Sequence, residues 1–345
     1  MEGRNGFIKQ NHSQFPGMTR VLYIPSGYKR IYETFDEWFV QALSKLNIPH
    51  VVSHPFETET SFLTKITTFR PTIMITMVGD KLPLYKLQYL RKRRITCGVW
   101  LTEDPYYTDR TLTYIREYDA VMSIEANSVR FYKTFHPNVL HLPLGTNSNV
   151  FYKNDEPAQH EVSFVGYPYQ NRLDLLKLIL QETPHHVTVV GKWKKHVAEH
   201  LASSRLHVHE GWFPPRTIAS FYRRSKINLN TLRDSQESMN ENQTGIPNSS
   251  INNRTFDIAS CGSFQLLPHI EGLSTAFEIG KEIVSYQDEG QLLQKLAYYL
   301  QNETERQDIA QQAMIRAQRD HTFLARVQTM IDFINTCKED HRSSR

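Results

Sequence analysis

Cysteine is scarce in this sequence. There are three among 345 residues, Cys97, Cys261 and Cys337, far apart and with no CxxC spacing. That excludes a disulfide framework and fits the reduced thiols of a cytosol. No apolar run approaches the ~18 residues that a membrane span needs. Residues 1–19 are polar, contain Pro, Gly and Asn, and lack the apolar centre of a signal peptide, so they read as a disordered leader. Charge of either sign is not in large excess: 40 Lys and Arg against 36 Asp and Glu give a net charge of +4, far from a dedicated nucleic-acid binder. The basic runs are short. Residues 91–94 close a predicted helix, where cations complement the carbonyl end of the dipole. Residues 192–195 follow a strand and a glycine. No complete GxGxxG or Walker pattern occurs. The expectation is a cytoplasmic protein with no nucleic-acid partner and no membrane span.

What remains is an ordinary globular composition, 39% hydrophobic and 22% charged, on a chain long enough for two domains. Short β-branched runs at 21–25, 50–53, 72–77, 96–101, 120–124 and 139–142 alternate with amphipathic stretches at 34–46, 58–69, 84–93, 108–117 and 126–135. Continuous apolar strands between helices predict a parallel sheet covered on both faces. Residues 146–160 break the pattern with Asn and acids, as a linker would. The alternation then restarts, with strands at 161–165, 186–190, 206–209, 227–230, 264–267 and 282–285. Helices are predicted at 171–181, 194–203, 216–224, 251–260, 289–301, 303–319 and 323–336. The expected division is 1–19 leader, 20–145 first domain, 146–160 linker, 161–320 second domain, 321–337 C-terminal helix and 338–345 frayed tail. Two doubly wound domains enclose a cleft, and ligands bind such sheets beyond the carboxyl ends of the strands. The polar loop 231–248 is long for a compact domain, which points to function or mobility.

Several clusters could carry chemistry. Gly166 ends a strand just before a helix, so it is either a tight turn or a place where backbone approaches a diphosphate. Tyr167 follows it. Arg172, one turn into that helix, faces either the cleft or the surface. Lys192, after a strand and Gly191, is open to a phosphate. In residues 251–268, INNRTFDIASCGSFQLLP, Asn252, Asn253, Arg254 and Asp257 lead into a helix that breaks at Cys261-Gly262. Arg254 and Asp257 stand three apart on one face, as an intrahelical ion pair or as ligand-binding groups. Arg can fork onto phosphate oxygens, and a carboxylate can accept from a ribose diol. Glu103 and Asp104, at the end of the strand 96–101, are either helix caps or a general base for an acceptor hydroxyl. Ser26, Gly27 and Tyr28 line the same side after the first strand. His196-x-x-Glu199-His200 matches a zinc peptidase pattern, on a helix between strands where a solvated surface is the alternative.

The segment RTFDIASCGSFQLLP resembles the donor-site helix of GT-B glycosyltransferases, and within them the CgeB-like (spore maturation protein) family. Phe164-Val165-Gly166 with Arg172, and Trp100 before Glu103-Asp104-Pro105, are similar to that family's other signatures. The resemblance spans roughly residues 20–336. It implies a GT-B fold of two Rossmann-like domains, with the C-terminal helices crossing back to the first. It also implies transfer of a sugar from a nucleotide-sugar to a glycan or other hydroxyl acceptor, in a spore-surface or cell-envelope context. No metal or other cofactor is expected. Arg254, with Arg172 and Lys192, would neutralise the leaving diphosphate, and Asp257 would hold the ribose. One departure stands out: retaining relatives carry Glu-x7-Glu ending at the position of Asp257, and Ser249 replaces the first acid. A non-catalytic nucleotide- or sugar-binding protein on the same scaffold is the alternative this suggests.

Overall fold

A computed structural model of the chain describes residues 18–343 except residue 202, with side chains for all of these but 198–200 and 338–343. The expected leader falls almost wholly outside the described residues; of it, the Thr19 hydroxyl pairs with Asn335 at 3.2 Å. Residues 344–345 and the side chains of the expected frayed tail also lie outside.

Apolar runs such as IMITM and TCGVWL are buried along their whole length, because both faces of a parallel sheet are covered by its crossover helices. The first sheet contains β1 (Val21–Ile24), β2 (His50–Val52), β3 (Ile73–Met77), β4 (Thr96–Leu101), β5 (Ala120–Ser123) and β6 (Val139–His141). All pairs are parallel, in the order β2-β1-β3-β4-β5-β6. Its helices are α1 (Ile31–Lys45), α2 (Glu59–Phe69), α3 (Leu84–Lys92), α4 (Thr108–Leu112) and α5 (Ala126–Tyr132). The second sheet contains β7 (His160–Val165), β8 (Val187–Gly191), β9 (Leu206–Glu210), β10 (Ser225–Leu229), β11 (Gln265–Pro268) and β12 (Val284–Tyr286). It too is parallel, in the order β12-β11-β10-β7-β8-β9. The remaining helices are α6 (Gln170–Glu182), α7 (Lys194–His200), α8 (Pro215–Arg223), α9 (Asn253–Ser260), α10 (Leu273–Ala276), α11 (Glu289–Gln301), α12 (Glu303–Asp320) and α13 (Phe323–Ser343).

Differences from the sequence reading are local and have physical causes. The helix expected at 251–260 begins at Asn253, because the Asn252 side chain caps it by accepting from the Thr255 N–H. The stretch 108–117 divides into α4 and a 3-10 turn at Ile115–Glu117. α10 has four residues, too few for a periodicity. α13 runs past the expected end to Ser343.

The order of strands creates the crevices. In the second sheet the chain starts centrally at β7, builds outwards through β8 and β9, and returns on the other side at β10. Loops after β7 and β10 therefore diverge, and a ligand site opens between them. In the first sheet the reversal lies between β1 and β3.

The two halves share apolar packing. Phe151, in the stretch expected as a linker, sits 6.1 Å from the Trp38 ring and 6.1 Å from the Tyr222 ring. α13 crosses back onto α1, β4 and β5. Its first residue, Phe323, wedges among Phe35, Trp38 and Trp100, with ring centres 6.2, 5.8 and 5.5 Å away. The turn before it is pinned to the inter-sheet segment: Thr146 N–H donates to His321 O and Phe323 N–H to Thr146 O, both at 2.8 Å.

Candidate active site

At the end of β7 the backbone turns at Gly166, with φ 154°. β8 ends at Gly191, where a Cβ would lie 2.3 Å from the Gly166 carbonyl oxygen. Only two glycines let these loops meet backbone to backbone. A Cβ on Gly166 would also lie 2.6 Å from Arg254 Nη1 and 3.1 Å from Arg172 Nη1. Two guanidiniums from different helices thus converge on one point above the switch between β7 and β10.

Both are anchored by neutral oxygens. Arg254, from the first turn of α9, donates from Nε to Asn230 Oδ1 (3.3 Å), from Nη1 to Val165 O (3.0 Å) and from Nη2 to Thr231 O (2.7 Å). Arg172, from α6, is 4% exposed and donates to Thr231 Oγ1 (3.1 Å), Thr231 O (3.1 Å) and Tyr167 O (2.8 Å). Neither makes a salt bridge among the described residues. Burial holds both guanidiniums below their ordinary pKa, and the charge of Arg254 lowers that of Arg172 further. Two adjacent like charges, one buried and one half-buried and neither in an ion pair, are costly, and an anion resolves that cost.

The other expected donor-side residues divide. Asn252 caps α9 and also donates to Asn230 Oδ1 at 2.9 Å. Asn253 donates to Asp257 Oδ2 at 2.7 Å. Asp257 makes no ion pair with Arg254; it is 5% exposed and its Oδ1 has no hydrogen-bond partner. Burial pushes its carboxyl well above the usual range, with the Thr146 hydroxyl and Arg254 pulling the other way. Lys192 is exposed and makes no hydrogen bond among the described residues. Tyr167 is 41% exposed, its ring 5.0 Å from that of Tyr169. The zinc pattern falls partly on the side chains of residues 199 and 200, which lie outside the described set.

Across the cleft, the loops after β1, β3 and β4 surround a cavity of about 240 Å³ lined by Tyr28, Tyr32, Asp80, Glu103, Tyr107 and Arg110 among others. Ser26 is buried and donates both its N–H and its hydroxyl to Asp36, which sets the course of the loop. Gly27 turns with φ 74°, and its carbonyl accepts from Lys81 Nζ at 2.9 Å. The Tyr28 hydroxyl donates to Asp80 Oδ2 at 2.5 Å. Glu103 accepts from the Tyr32 hydroxyl through Oε1, and its Oε2 has no hydrogen bond among the described residues. Burial raises its pKa, while Tyr32 and Arg233 lower it. Asp104 is differently committed: Oδ2 accepts from Ser123 Oγ (2.6 Å) and Oδ1 from the Tyr132 hydroxyl (3.0 Å). Of the two acids, Glu103 keeps an oxygen for a ligand.

The loop after β10 joins the two sides. Glu241 N–H donates to Tyr106 O at 2.8 Å, and Asp109 N–H to Glu241 O at 2.9 Å. Gln243 N–H reaches the Asp109 carboxylate at 2.9 Å, and Arg110 pairs with Glu241. Ser249, at the position of the absent acid, gives its N–H and hydroxyl to Glu125 at 3.1 and 2.5 Å, and Ser250 N–H adds a third bond at 3.0 Å. Glu125 belongs to the first domain. Thr231, Asn230, Asp80, Arg110, Glu125 and the Tyr106-Tyr107 pair escaped the sequence reading; the run of hydrogen-bonding residues after Leu229 was the one available sign.

A family profile described as "Glycosyl transferase-like" matches residues 172–332. The spore protein CgeB of Bacillus subtilis (strain 168) is 36% identical over 298 residues, covering 84% of this chain and 91% of that protein. The chain belongs to the CgeB family. The profile match contains Arg172, Lys192, Arg254 and Asp257, whereas Gly166 and the Glu103-Asp104 pair precede it. Solved structures extend the likeness to the whole CgeB-family scaffold. Sucrose-phosphate synthase from Thermosynechococcus elongatus superposes with a TM-score of 0.66 at 11% identity, covering 92% of this chain and 98% of that one. Anabaena HepE in complex with UDP-glucose gives 0.64 at 11%, covering 92% and 99%. A glycosyltransferase from Rickettsia africae gives 0.60 at 10%, covering 93% and 99%. The fold is GT-B: two Rossmann-like domains facing a cleft, with the C-terminal helices returning to the first. Among the described residues no helix is long and apolar enough to cross a membrane.

Proposed function

We propose that this CgeB-family chain is a glycosyltransferase that moves a sugar from a nucleoside-diphosphate sugar to an acceptor hydroxyl. The observation that carries this is the Arg172–Arg254 pair, the first buried and the second half-buried, without an ion-paired carboxylate among the described residues and converging above Gly166 at the switch point. Such a pair suits a diphosphate, whose charge grows as the glycosidic bond breaks. The cations come from side chains, so transfer proceeds without a resident metal. HepE, on the same fold, is described with UDP and with UDP-glucose, which supports a nucleotide-sugar here. Glu103 then serves as general base for an acceptor seated in the 240 Å³ cavity. A glycan of a spore surface or cell envelope is the acceptor class we favour, since the curated relative is a spore protein.

A second reading, binding of a nucleotide or sugar without transfer, draws on Ser249, whose hydroxyl is given to Glu125. Calorimetry and turnover with UDP-, GDP-, dTDP- and CDP-sugars, with and without EDTA, separate the two. Under the transferase reading one donor binds and turns over with EDTA present. Binding without turnover selects the second reading. Arg254→Gln is expected to weaken donor binding by about 10- to 100-fold, as loss of a charge-assisted bond does, with the fold retained. Unchanged affinity in that variant removes the donor-site assignment.

A further inference from the structure

Arg233 lies in the loop after β10, outside every motif of the sequence. Its guanidinium carbon is 4.9 Å from the ring centre of Tyr106, 5.4 Å from Tyr107 and 5.2 Å from Tyr169. Tyr106 and Tyr107 belong to the first domain and Tyr169 to the second, so the cage exists only where the two meet. The Tyr106 hydroxyl fixes the backbone by donating to Arg233 O at 3.1 Å. Aromatic faces hold a cation in place but offer no lone pair to its N–H groups. The Tyr107 hydroxyl bonds to the guanidinium, but Arg233 Nε and Nη2 are buried with no hydrogen-bond acceptor. No carboxylate makes a salt bridge with it among the described residues; Glu103 acts on it from beyond ion-pair contact.

Buried donors without acceptors are rare in folded proteins and expensive. Two on one charged group mark a place for an acceptor that comes and goes. Tyr169 identifies the neighbourhood, since the guanidinium carbon of Arg172 lies 4.7 Å from the same ring. Arg233 and Arg172 thus share one tyrosine ring, and Arg172 adjoins Arg254. Arg233 also lines a cavity of about 340 Å³ with Asn171, Thr231, Ser235 and Asn248.

We propose that Arg233 is a third ligand for the donor's diphosphate, held in place by first-domain tyrosines, so that the anion site is complete only when the two domains are together. This rests on the nucleotide-sugar reading. It adds a consequence that reading lacks: diphosphate binding and domain closure become one event, because the residue that reaches the anion is gripped by both halves.

The test is calorimetry on the full chain with inorganic pyrophosphate, which needs no knowledge of the base, and with UDP, GDP, dTDP and CDP. Wild type, Arg254→Gln, Arg233→Gln and Arg233→Lys are compared, each with a melting curve without ligand. Arg233→Gln is expected to weaken pyrophosphate and the preferred nucleotide by about 10-fold, with Arg233→Lys partly restoring affinity. Hydrogen exchange supplies a readout that a mere structural pin leaves unmoved: pyrophosphate slows exchange in residues 234–248 of wild type but not of Arg233→Gln. If wild type binds neither pyrophosphate nor any nucleotide, the donor reading itself falls and takes this inference with it. If wild type binds, Arg254→Gln loses affinity and Arg233→Gln keeps it, the inference alone is overturned and Arg233 is a pin for its loop.

Discussion

Asp104 is a carboxyl enclosed by its own domain. Burial pushes its pKa up to about 7 from 3.8, helped by the charges of Glu125 and Glu103 and opposed by bonds from Ser123 and Tyr132. The folded-state pKa is raised, so its stabilisation is complete below 3.8 and is lost as pH rises through about 7. The upper limit is about 4 kcal/mol at 1.36 kcal/mol per unit. Asp104→Asn carries no such dependence. Urea unfolding at pH 5 and pH 8 is expected to show the wild type losing stability relative to the variant as pH rises; parallel profiles would contradict the assignment. The same residue shows where single positions are legible. Its carboxylate character and its place after β4 could be read from the chain, and its orientation could not, because Ser123 and Tyr132 arrive from other elements. Gly166, Arg172 and Arg254 stood out in the sequence with a tight turn, a surface position and an ion pair as alternatives, and the structure brings the three together. Arg233 did not stand out within the loop 231–248, because its cage comes from residues 106, 107 and 169.

The connection from β10 to α9 shows how an irregular segment acquires a defined position. It has no periodicity, and its length pointed to function or mobility. In the fold it is tied to the first domain by backbone bonds at Tyr106 and Asp109 and by the Glu125 carboxylate. Glu125 is 1% exposed and accepts from Asn127 N–H, Ser249 N–H, the Ser249 hydroxyl and Ser250 N–H. Glu125→Ala leaves those donors without their acceptor, and a loss of about 3 kcal/mol is expected from the cost of unsatisfied buried groups. The denaturant midpoint measures it, and faster hydrogen exchange in residues 241–250 would show that the tether has been released. A change below 0.5 kcal/mol would mean that water replaces the carboxylate. The Arg110–Glu241 pair, with side chains 40% and 44% exposed, contributes far less, as solvated pairs do. The regular elements were far easier to read: Thr96–Leu101 and Glu289–Gln301 have the bounds that their patterns predict, because apolar run length and the Asp288 cap are local signals.

The architecture as a whole was legible because two rounds of strand–helix alternation allow few packings. The return of α13 followed only from resemblance. Its energetic weight lies in Phe323, 2% exposed among Phe35, Trp38 and Trp100. Phe323→Ala is expected to cost about 3–5 kcal/mol, the range for a buried aromatic, read as a lower denaturant midpoint. The change should appear in the fluorescence of Trp38 and Trp100, which flank the Phe323 ring. A shift below 1 kcal/mol would mean that the site collapses around the missing ring.

Val327, Met330, Ile331 and Ile334 continue the same apolar cluster as Trp38, Trp100 and Met122. During synthesis, the first sheet leaves the ribosome with one face of β4 and β5 bare, and the residues that cover it are translated only after the whole second domain. Domains usually fold in the order in which they are made. Here the half that emerges first is the half completed last, and until residues 323–337 appear its exposed apolar face is a surface for chaperones to guard.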